Sequence, residues 1–211
     1  PDDGYANPRE VLFGLRAGAA AAGAEYVRDE VVGVDVTAGR ISGVRLSSGA
    51  ALSAPVVVNA AGALAGRVAA LAGLRVPIEP VRQLLFRCTL PRHWPTRFPM
   101  VIDPGGVHWR HDDPVAPGDP DRITLAFTKW DEPPGENFAC DDARWEHEFY
   151  PALMRRMPAL ADVADVHGWA GLYEMTPDHN PVLGGHPEVA GLIFASGFSG
   201  HGLMMSPATG L

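Results

Sequence analysis

Hydrophobic and polar positions near the start of the chain follow first a helical and then an extended spacing. Residues 8–22 carry apolar side chains at helical intervals, with Pro8 near the first turn and Gly23 just past the end, and they predict a helix. Residues 30–54 alternate β-branched and polar side chains, interrupted by two glycine-containing turns. This alternation predicts a small antiparallel meander with a bulge at Gly43.

The next apolar segment, residues 55–63, reads Pro-Val-Val-Val-Asn-Ala-Ala-Gly-Ala. A continuous run of valines predicts a strand that is buried on both faces. The small residues after the run leave room for a ligand to approach the end of the strand. They are equally typical of close helix packing, so this segment alone does not decide between the two.

The middle of the chain has a different character, which begins at Pro77 and Pro80. It contains three candidate strands, at residues 82–90, 98–110 and 122–129. A helix is predicted over residues 141–157, capped by Asp141 or Asp142 and followed by Pro158. Its apolar side is formed by Trp145, Phe149, Leu153 and Met157. This region predicts a mixed sheet with a flanking helix.

The last residues predict a strand, a loop and a helix in succession. An apolar run at 193–196 precedes Gly-Phe-Ser-Gly-His-Gly at 197–202, and an apolar stretch follows. The glycines allow the backbone to approach a ligand closely, and the first helical amides carry a partial positive charge of roughly +0.5. Such an end suits an anion or an oxygen that becomes negative during a reaction. The alternative is a turn that only permits tight packing.

Composition excludes some classes of function. The 211 residues contain 46% hydrophobic and 20% charged residues and carry a net charge of −8, which disfavours a nucleic-acid or anionic-membrane partner. No apolar run approaches the roughly 18 residues of a membrane span. Two cysteines, Cys88 and Cys140, predict reduced thiols in a cytoplasmic protein. The localisation expected from the sequence is therefore cytoplasmic.

Histidines suggest a metal site as a rival interpretation, but their spacing argues against it. His108 and His111 are three residues apart on a predicted strand and so face opposite sides. No cysteine or carboxylate–histidine motif accompanies them, so no metal ligand is predicted. An acyl-transfer triad is also disfavoured, because the glycine-rich turn is not a G-x-S-x-G elbow.

Three stretches, in this order along the chain, resemble the D-amino acid oxidase/sarcosine oxidase superfamily of FAD-dependent oxidoreductases. They are Ala-Ala-Gly-Ala at 60–63, a G-x-Y-x-x-T-x-D-x-x-P-x-x-G segment at 171–184, and Gly-Phe-Ser-Gly-His-Gly at 197–202. The chain starts without Met and contains no G-x-G-x-x-G strand. It is therefore expected to be the central and C-terminal part of a longer protein.

The resemblance implies a fold of α/β and α+β character. Residues 1–75 and 165–211 would belong to an incomplete FAD-binding domain of glutathione-reductase-like Rossmann type. Residues 76–164 would form an inserted mixed-sheet substrate domain. The glycine-rich turn would lie beside the pyrimidine edge of the isoalloxazine ring.

The resemblance also implies the site residues. Tyr173 would point into the substrate cavity, or it is a half-buried core tyrosine with a satisfied hydroxyl. His201 would take a polar role near the flavin, or it only packs or faces solvent. Asp178 would lie near the isoalloxazine or shape the turn before Pro181. The implied FAD-binding residues are Ala61, Gly62, Asp178, Gly197, Ser199, Gly200, His201, Gly202, Leu203 and Met204, and the implied catalytic residues are Tyr173 and His201.

The sequence departs from its relatives at three positions. Gly171 stands where some members carry the cysteine that attaches flavin, so FAD is expected to be non-covalent there. Tyr173 and Met204 stand where other members carry a carboxylate-binding Arg or Lys. A substrate carboxylate could still be held by Arg110 or by a part of the protein outside this chain.

The function expected of the intact protein is FAD-dependent oxidation of a C–N bond in a secondary amine or amino acid, by hydride transfer to flavin N5. Its partners would be this small substrate and either dioxygen or an electron carrier, with partner subunits also possible. Two alternatives stay open. One is a non-catalytic or electron-passing flavin subunit of a larger complex, and the other is an FAD-free binding domain that retains the fold.

Overall fold

A computed structural model describes residues 6–94, 97–114, 116, 118–129 and 131–211. Its α-helices are α1 (Pro8–Ala21), α2 (Ala65–Ala70), α3 (Tyr150–Arg156) and α4 (Gly202–Thr209). Its strands are β1 (Val31–Thr37), β2 (Arg40–Leu46), β3 (Ala51–Ser53), β4 (Val57–Asn59), β5 (Glu79–Thr89), β6 (Val101–Ile102), β7 (Val107–His111), β8 (Arg122–Phe127), β9 (Ala164–Met175), β10 (Val182–Gly185) and β11 (Leu192–Ser196). Within these ranges no helix is long and apolar enough to cross a membrane.

The chain divides into two compact units. The first consists of residues 1–14, 82–133 and 137–171, and the second of residues 15–81, 134–136 and 172–211. Each unit is assembled from segments that are distant in sequence, as expected when one domain is inserted in another. The assignment of residues 1–75 and 165–211 to an FAD domain stays a prediction.

The second unit contains two small sheets. In one, β1, β2 and β3 form the predicted antiparallel meander, and the register of β1 on β2 shifts by one residue beside Gly43. In the other, β11 pairs antiparallel with β10 and parallel with β4. Buried apolar side chains from both sheets and α2 form one core cluster: Val34, Ile41, Ala69, Val189, Leu192 and Phe194. This unit therefore holds the parallel strand pair that leads into both predicted cofactor-binding stretches.

The expectation that the valine run is buried on both faces is wrong. Val57 packs against the core cluster of the second unit, but Val56 and Val58 are 50% and 53% exposed. Successive side chains of a strand point to opposite faces, so only the middle valine meets the core. Within the described residues β4 is also an edge strand, with β11 as its only pairing neighbour.

The first unit is built on a sheet with strand order β6-β7-β8-β5-β9. One face of this sheet packs on the helical segment around α3 and holds a continuous apolar core. The buried members are Leu84, Phe86, Cys88, Leu90, Val107, Trp109, Ile123, Leu125, Phe149, Ala152, Leu153 and Leu160. The mixed sheet with a flanking helix is confirmed, and its other face is free of this core.

The predicted helix at 141–157 forms with a different geometry. Residues Trp145–Phe149 are a π-helical turn that runs into α3, and no side chain caps its start. Phe149 and Leu153 are fully buried, so the predicted four-residue apolar spacing is retained. Arg144 is also buried and lies over the rings of Phe127 and Phe149. The sequence pattern showed the apolar side but not the wider turn.

Candidate functional site

The parallel pairing of β4 and β11 brings two predicted cofactor-binding stretches to the same edge of a sheet. Phe194 pairs with Asn59, so the turn at 60–62 and the loop at 197–201 both follow the carboxyl ends of adjacent parallel strands. In open α/β sheets, ligands bind at such an edge. The Ser196 hydroxyl donates to the Asn59 carbonyl at 2.9 Å and ties the two strand ends together.

Asn59 organises the Ala-Ala-Gly turn with its side chain. Its Nδ2 donates to the Ala65 carbonyl at 2.9 Å, and its Oδ1 accepts the Ala61 amide at 3.2 Å. Asn59 is 3% exposed, and its bond to Ala65 is shielded from water, whereas its bond to Ala61 is only partly buried. Ala61 is exposed, and Gly62 adopts a φ of +57°, which glycine tolerates without cost.

Ser199 fixes the glycine-rich loop against the end of β9. Its side chain is 1% exposed, and its backbone has a φ of +50°, which is unusual for a residue with a Cβ. The Ser199 amide donates to the Glu174 carbonyl at 3.2 Å, and its Oγ accepts the Thr176 amide at 3.2 Å. These bonds hold a strained backbone in place, a feature that clusters at functional sites.

Glu174 links the two stretches. Its Oε2 accepts the amide of the buried Gly197 at 2.9 Å. The same oxygen lies 3.8 Å from the position that a Cβ on Gly62 would occupy. One carboxylate therefore lies between the Ala-Ala-Gly turn and the glycine-rich loop. A charged acceptor makes a stronger hydrogen bond than a neutral one, which suits it to hold the loop in a single conformation.

Position 200 requires glycine for two reasons, its backbone conformation and the close approach of the Tyr173 ring. Its φ is +97°, and a Cβ there would lie 2.6 Å from Tyr173 Cε2. Gly202 has no positive φ, and its nearest neighbour would be the Phe198 side chain at 3.4 Å. The two glycines are therefore not equivalent. Gly200 lets the Tyr173 ring lie against the loop, and Gly202 only begins α4.

The first turn of α4 presents backbone amides. Its N-cap is His201, and no side chain caps it. The amides of the first helical residues have no acceptor within the helix, so they attract negative charge. Further along, Pro207 cannot donate to Leu203, and the Ser206 hydroxyl donates to that carbonyl instead at 2.8 Å. Because the Ser206 hydroxyl supplies this hydrogen bond, α4 can contain a proline.

The other predicted residues differ in their surroundings. His201, Leu203 and Met204 are exposed, and Met204 is 70% exposed. Tyr173 is half-buried, and its hydroxyl has no hydrogen-bond partner among the residues that the structure describes. A Cβ on Gly171 would meet no atom within 4 Å.

Asp178 shapes its own turn. Its Oδ1 accepts the Asn180 amide at 3.2 Å, and the Asn180 side chain donates to the Asp178 carbonyl. The backbone hydrogen bond from Asn180 holds the pKa of Asp178 below its usual range. This observation supports the turn-forming interpretation and does not test a position near the isoalloxazine.

Neither histidines nor cysteines form a second site within the described ranges. No group of three His, Cys, Asp or Glu side chains there could hold a metal ion. His108 is half-buried and His111 is buried, as expected from opposite faces of β7. Both cysteines are free thiols, and burial raises the pKa of Cys88 to about 12. Cys88 is therefore a protonated, unreactive thiol.

The residues at this sheet edge suit the pyrimidine edge of FAD. They combine an uncapped helix N-terminus, a loop held in one conformation and small residues at both strand ends. Residues 202–204 would offer amides to the flavin oxygen that gains negative charge. Sequence reasoning missed Asn59 and Glu174. Asn59 could have been found as the single polar residue in an apolar run. Glu174 gave no such signal, because its contact with Gly197 joins residues that are 23 positions apart.

Comparison with known proteins decides the family. The model of the DAO family, described as FAD dependent oxidoreductase, matches residues 1–211. The chain belongs to the DAO family. It is 34% identical over 167 residues to "FAD-dependent oxidoreductase domain-containing protein 1" of Bos taurus, covering 74% of the chain and 34% of that relative.

Two further relatives have names that state an activity. Glycine oxidase of Geobacillus kaustophilus is 28% identical over 212 residues, which cover 100% of the DAO-family chain and 53% of the relative. The crystal structure of L-proline dehydrogenase from P. horikoshii superposes with a TM-score of 0.86 at 30% identity, covering 97% of this chain and 54% of that one. The chain thus spans roughly a third to a half of these relatives. Family and mixed α/β fold agree with the resemblance seen in the three sequence motifs.

Proposed function

We propose that the intact protein oxidises a C–N bond of a secondary amine or amino acid with FAD as the hydride acceptor. The observation that carries the proposal is the convergence of the Ala-Ala-Gly turn, the glycine-rich loop and the uncapped N-terminus of α4 at one edge of the β4–β11 pair. Similarity to glycine oxidase and L-proline dehydrogenase supports the substrate class. FAD, when bound, would accept the hydride equivalent at N5.

The residues of the chain then have separate tasks. Backbone amides at 202–204 stabilise negative charge on the cofactor side, since a preorganised donor needs no rearrangement during the reaction. Glu174 and Ser199 hold these amides in place through Gly197 and the end of β9. Tyr173, with its ring against Gly200, lines the substrate side. His201 is exposed and takes a secondary polar role.

The cofactor is held without a covalent bond to residue 171, because glycine offers no nucleophile. The protein would function in the cytoplasm, which suits the two free thiols. Dioxygen or an electron carrier would reoxidise the flavin. An electron-passing flavin subunit is the alternative that the experiment below distinguishes.

The test uses the full-length protein that contains this chain. Purified protein should be yellow and should release its FAD on acid precipitation. Anaerobic mixing with a panel of sarcosine, glycine and L-proline should bleach the flavin with at least one of them. Tyr173→Phe should change the KM for that substrate more than the FAD content.

Three results would count against the proposal. Flavin that stays with the acid-denatured polypeptide would exclude the non-covalent assignment. A flavin that is reduced only by a partner protein, and by no amine, would favour the electron-passing subunit. Protein that binds no FAD would favour a binding domain that keeps the fold.

A further inference from the structure

Glu174 carries the single formal charge at the sheet edge where β4 and β11 end. The stretches that meet there are residues 59–66, 172–176 and 196–205, and Glu174 is the only Asp, Glu, Lys or Arg among them. His201 is the only other side chain in these stretches that titrates near neutral pH, and it is exposed. One carboxylate therefore decides the formal charge of this edge.

The Glu174 carboxylate has a hydrogen-bond donor but no cation beside it. Its Oε2 accepts the amide of the buried Gly197 at 2.9 Å, and the side chain is half-buried. Among the residues that the structure describes, no Arg, Lys or His forms a salt bridge with it. A partly buried carboxylate loses hydration, and here no ion pair replaces that hydration, which is energetically unfavourable.

Hydrogen bonding alone does not require a charge at this position. Glutamine has nearly the same shape as glutamate, and its amide oxygen also accepts an N–H. Neutral groups hold the rest of the loop, since the Ser199 Oγ accepts the Thr176 amide at 3.2 Å and the Glu174 carbonyl accepts the Ser199 amide at 3.2 Å. The charge of Glu174 therefore points to a role that a neutral acceptor would not fill.

The charge of Glu174 opposes the field of the helix that follows the loop. Gly197 lies in the loop that leads to α4, whose uncapped N-terminus carries a partial positive charge of roughly +0.5. On its other side, Oε2 lies 3.8 Å from the position that a Cβ on Gly62 would occupy. A cofactor bound at this edge is exposed to both fields, because the protein interior screens charges less than water does. The α4 amides stabilise negative charge on that cofactor, and the carboxylate destabilises it.

We propose that the negative charge of Glu174 lowers the reduction potential of FAD bound at this edge. A hydride equivalent brings two electrons and one proton, so reduction adds one net negative charge to the flavin, and a nearby carboxylate disfavours this charge. A lower potential makes the reduced cofactor a better donor to its electron acceptor. The inference rests on FAD binding at this edge, which is part of the proposed function, but not on which amine is oxidised.

The experiment compares the reduction potential of the full-length wild type with that of Glu174→Gln. Each protein is reduced anaerobically with dithionite beside a reference dye of known potential, and the absorbance of flavin and dye is read at equilibrium. Glu174→Gln keeps an acceptor for the Gly197 amide but removes the charge. The equilibrium constant for flavin reduction should therefore rise by about tenfold, which is about 30 mV for a two-electron couple. Only protein that holds FAD contributes to the measured ratio, so a partial loss of cofactor does not hide the shift.

Two further variants separate the charge of Glu174 from its hydrogen bond. Glu188→Gln removes the same charge from an exposed side chain of the same compact unit, in the connection between β10 and β11, and should leave the potential unchanged. Glu174→Asp keeps the charge, but its shorter side chain reaches the Gly197 amide less well. It should lower the melting temperature and leave the potential near that of the wild type.

Three results would overturn the inference. The first is a wild-type potential in Glu174→Gln, and the second is an equal rise in Glu188→Gln. The third is an equal rise in Glu174→Asp, because the hydrogen bond and not the charge would then set the potential. No amine enters these measurements, so a flavin that no amine reduces would count against the proposed oxidation and would not affect this comparison.

Discussion

Replacement of Gly200 by alanine tests whether the Tyr173 ring lies against the glycine-rich loop. Gly200 has a φ of +97°, and its Cβ would lie 2.6 Å from Tyr173 Cε2. Two costs are therefore expected. A side chain at this positive φ costs about 1–3 kcal/mol, and the overlap with a packed ring adds about 1–3 kcal/mol.

Gly23 offers a control that isolates the first cost. Its φ is +96°, nearly the same as that of Gly200, but no atom lies within 4 Å of the position of its Cβ. It belongs to the same compact unit. Gly23→Ala should therefore destabilise the protein through backbone strain alone, and Gly200→Ala should exceed it by about 1–3 kcal/mol.

The assay is urea unfolding of the full-length protein and of the variants Gly23→Ala, Gly200→Ala, Tyr173→Ala and Gly200→Ala/Tyr173→Ala. Tyr173→Ala removes the ring, so the double variant should recover the overlap cost but not the strain. The cycle should yield a coupling of about 1–3 kcal/mol, the range typical of residues in contact. Equal losses for Gly200→Ala and Gly23→Ala, with no coupling to Tyr173, would refute the contact and the site built on it.

Three further predictions concern single side chains. Glu174→Ala should leave the buried Gly197 amide unpaired, lower the stability by about 1–3 kcal/mol and release FAD. Glu174→Gln keeps an acceptor oxygen, so it should retain most of the stability in melting experiments and most of the bound flavin in flavin-content measurements. Burial of the imidazole and, as a smaller cause, the positive charge of Arg97 lower the pKa of His111 in the folded state. The unfolded state therefore binds more protons, and the stability of the protein should fall as the pH drops below about 6.5. His111→Phe should flatten that decline in melts from pH 7 to 5, and an unchanged slope would contradict it. Ser206→Ala should lower the stability by about 1 kcal/mol, because the Leu203 carbonyl would lose the hydroxyl donor that takes the place of the N–H absent from Pro207. A melting temperature equal to that of the wild type would contradict this.

Local patterns predicted some of the elements but not all. The strand predicted at 98–110 forms as two short strands, β6 and β7, and the sequence patterns did not predict β9, β10 or α2. The helix at 8–22, the meander at 30–54 and the strand–loop–helix at the C-terminal end all formed, because spacing, glycine and proline act within a few residues of one another. The motifs at 60–63, 171–184 and 197–202 also predicted the family, since small residues are needed where the backbone approaches a ligand.

Long-range pairing decided what the patterns left open. The valine run could not show that Val56 and Val58 lie outside the core, since exposure depends on the neighbours of β4 and not on its own residues. Likewise, Glu174 carries no local signal that it reaches Gly197, which is 23 residues away. Arg87 of β5 and Arg110 of β7 both lie opposite Thr124 only because β8 is placed between their strands. The sequence by itself determined the N-terminal helix, the meander, the C-terminal strand–loop–helix and the family, because these depend on local spacing and short motifs. The tertiary structure alone decided which charges and amides meet, because such meetings follow from strand register and from loops closed across the chain.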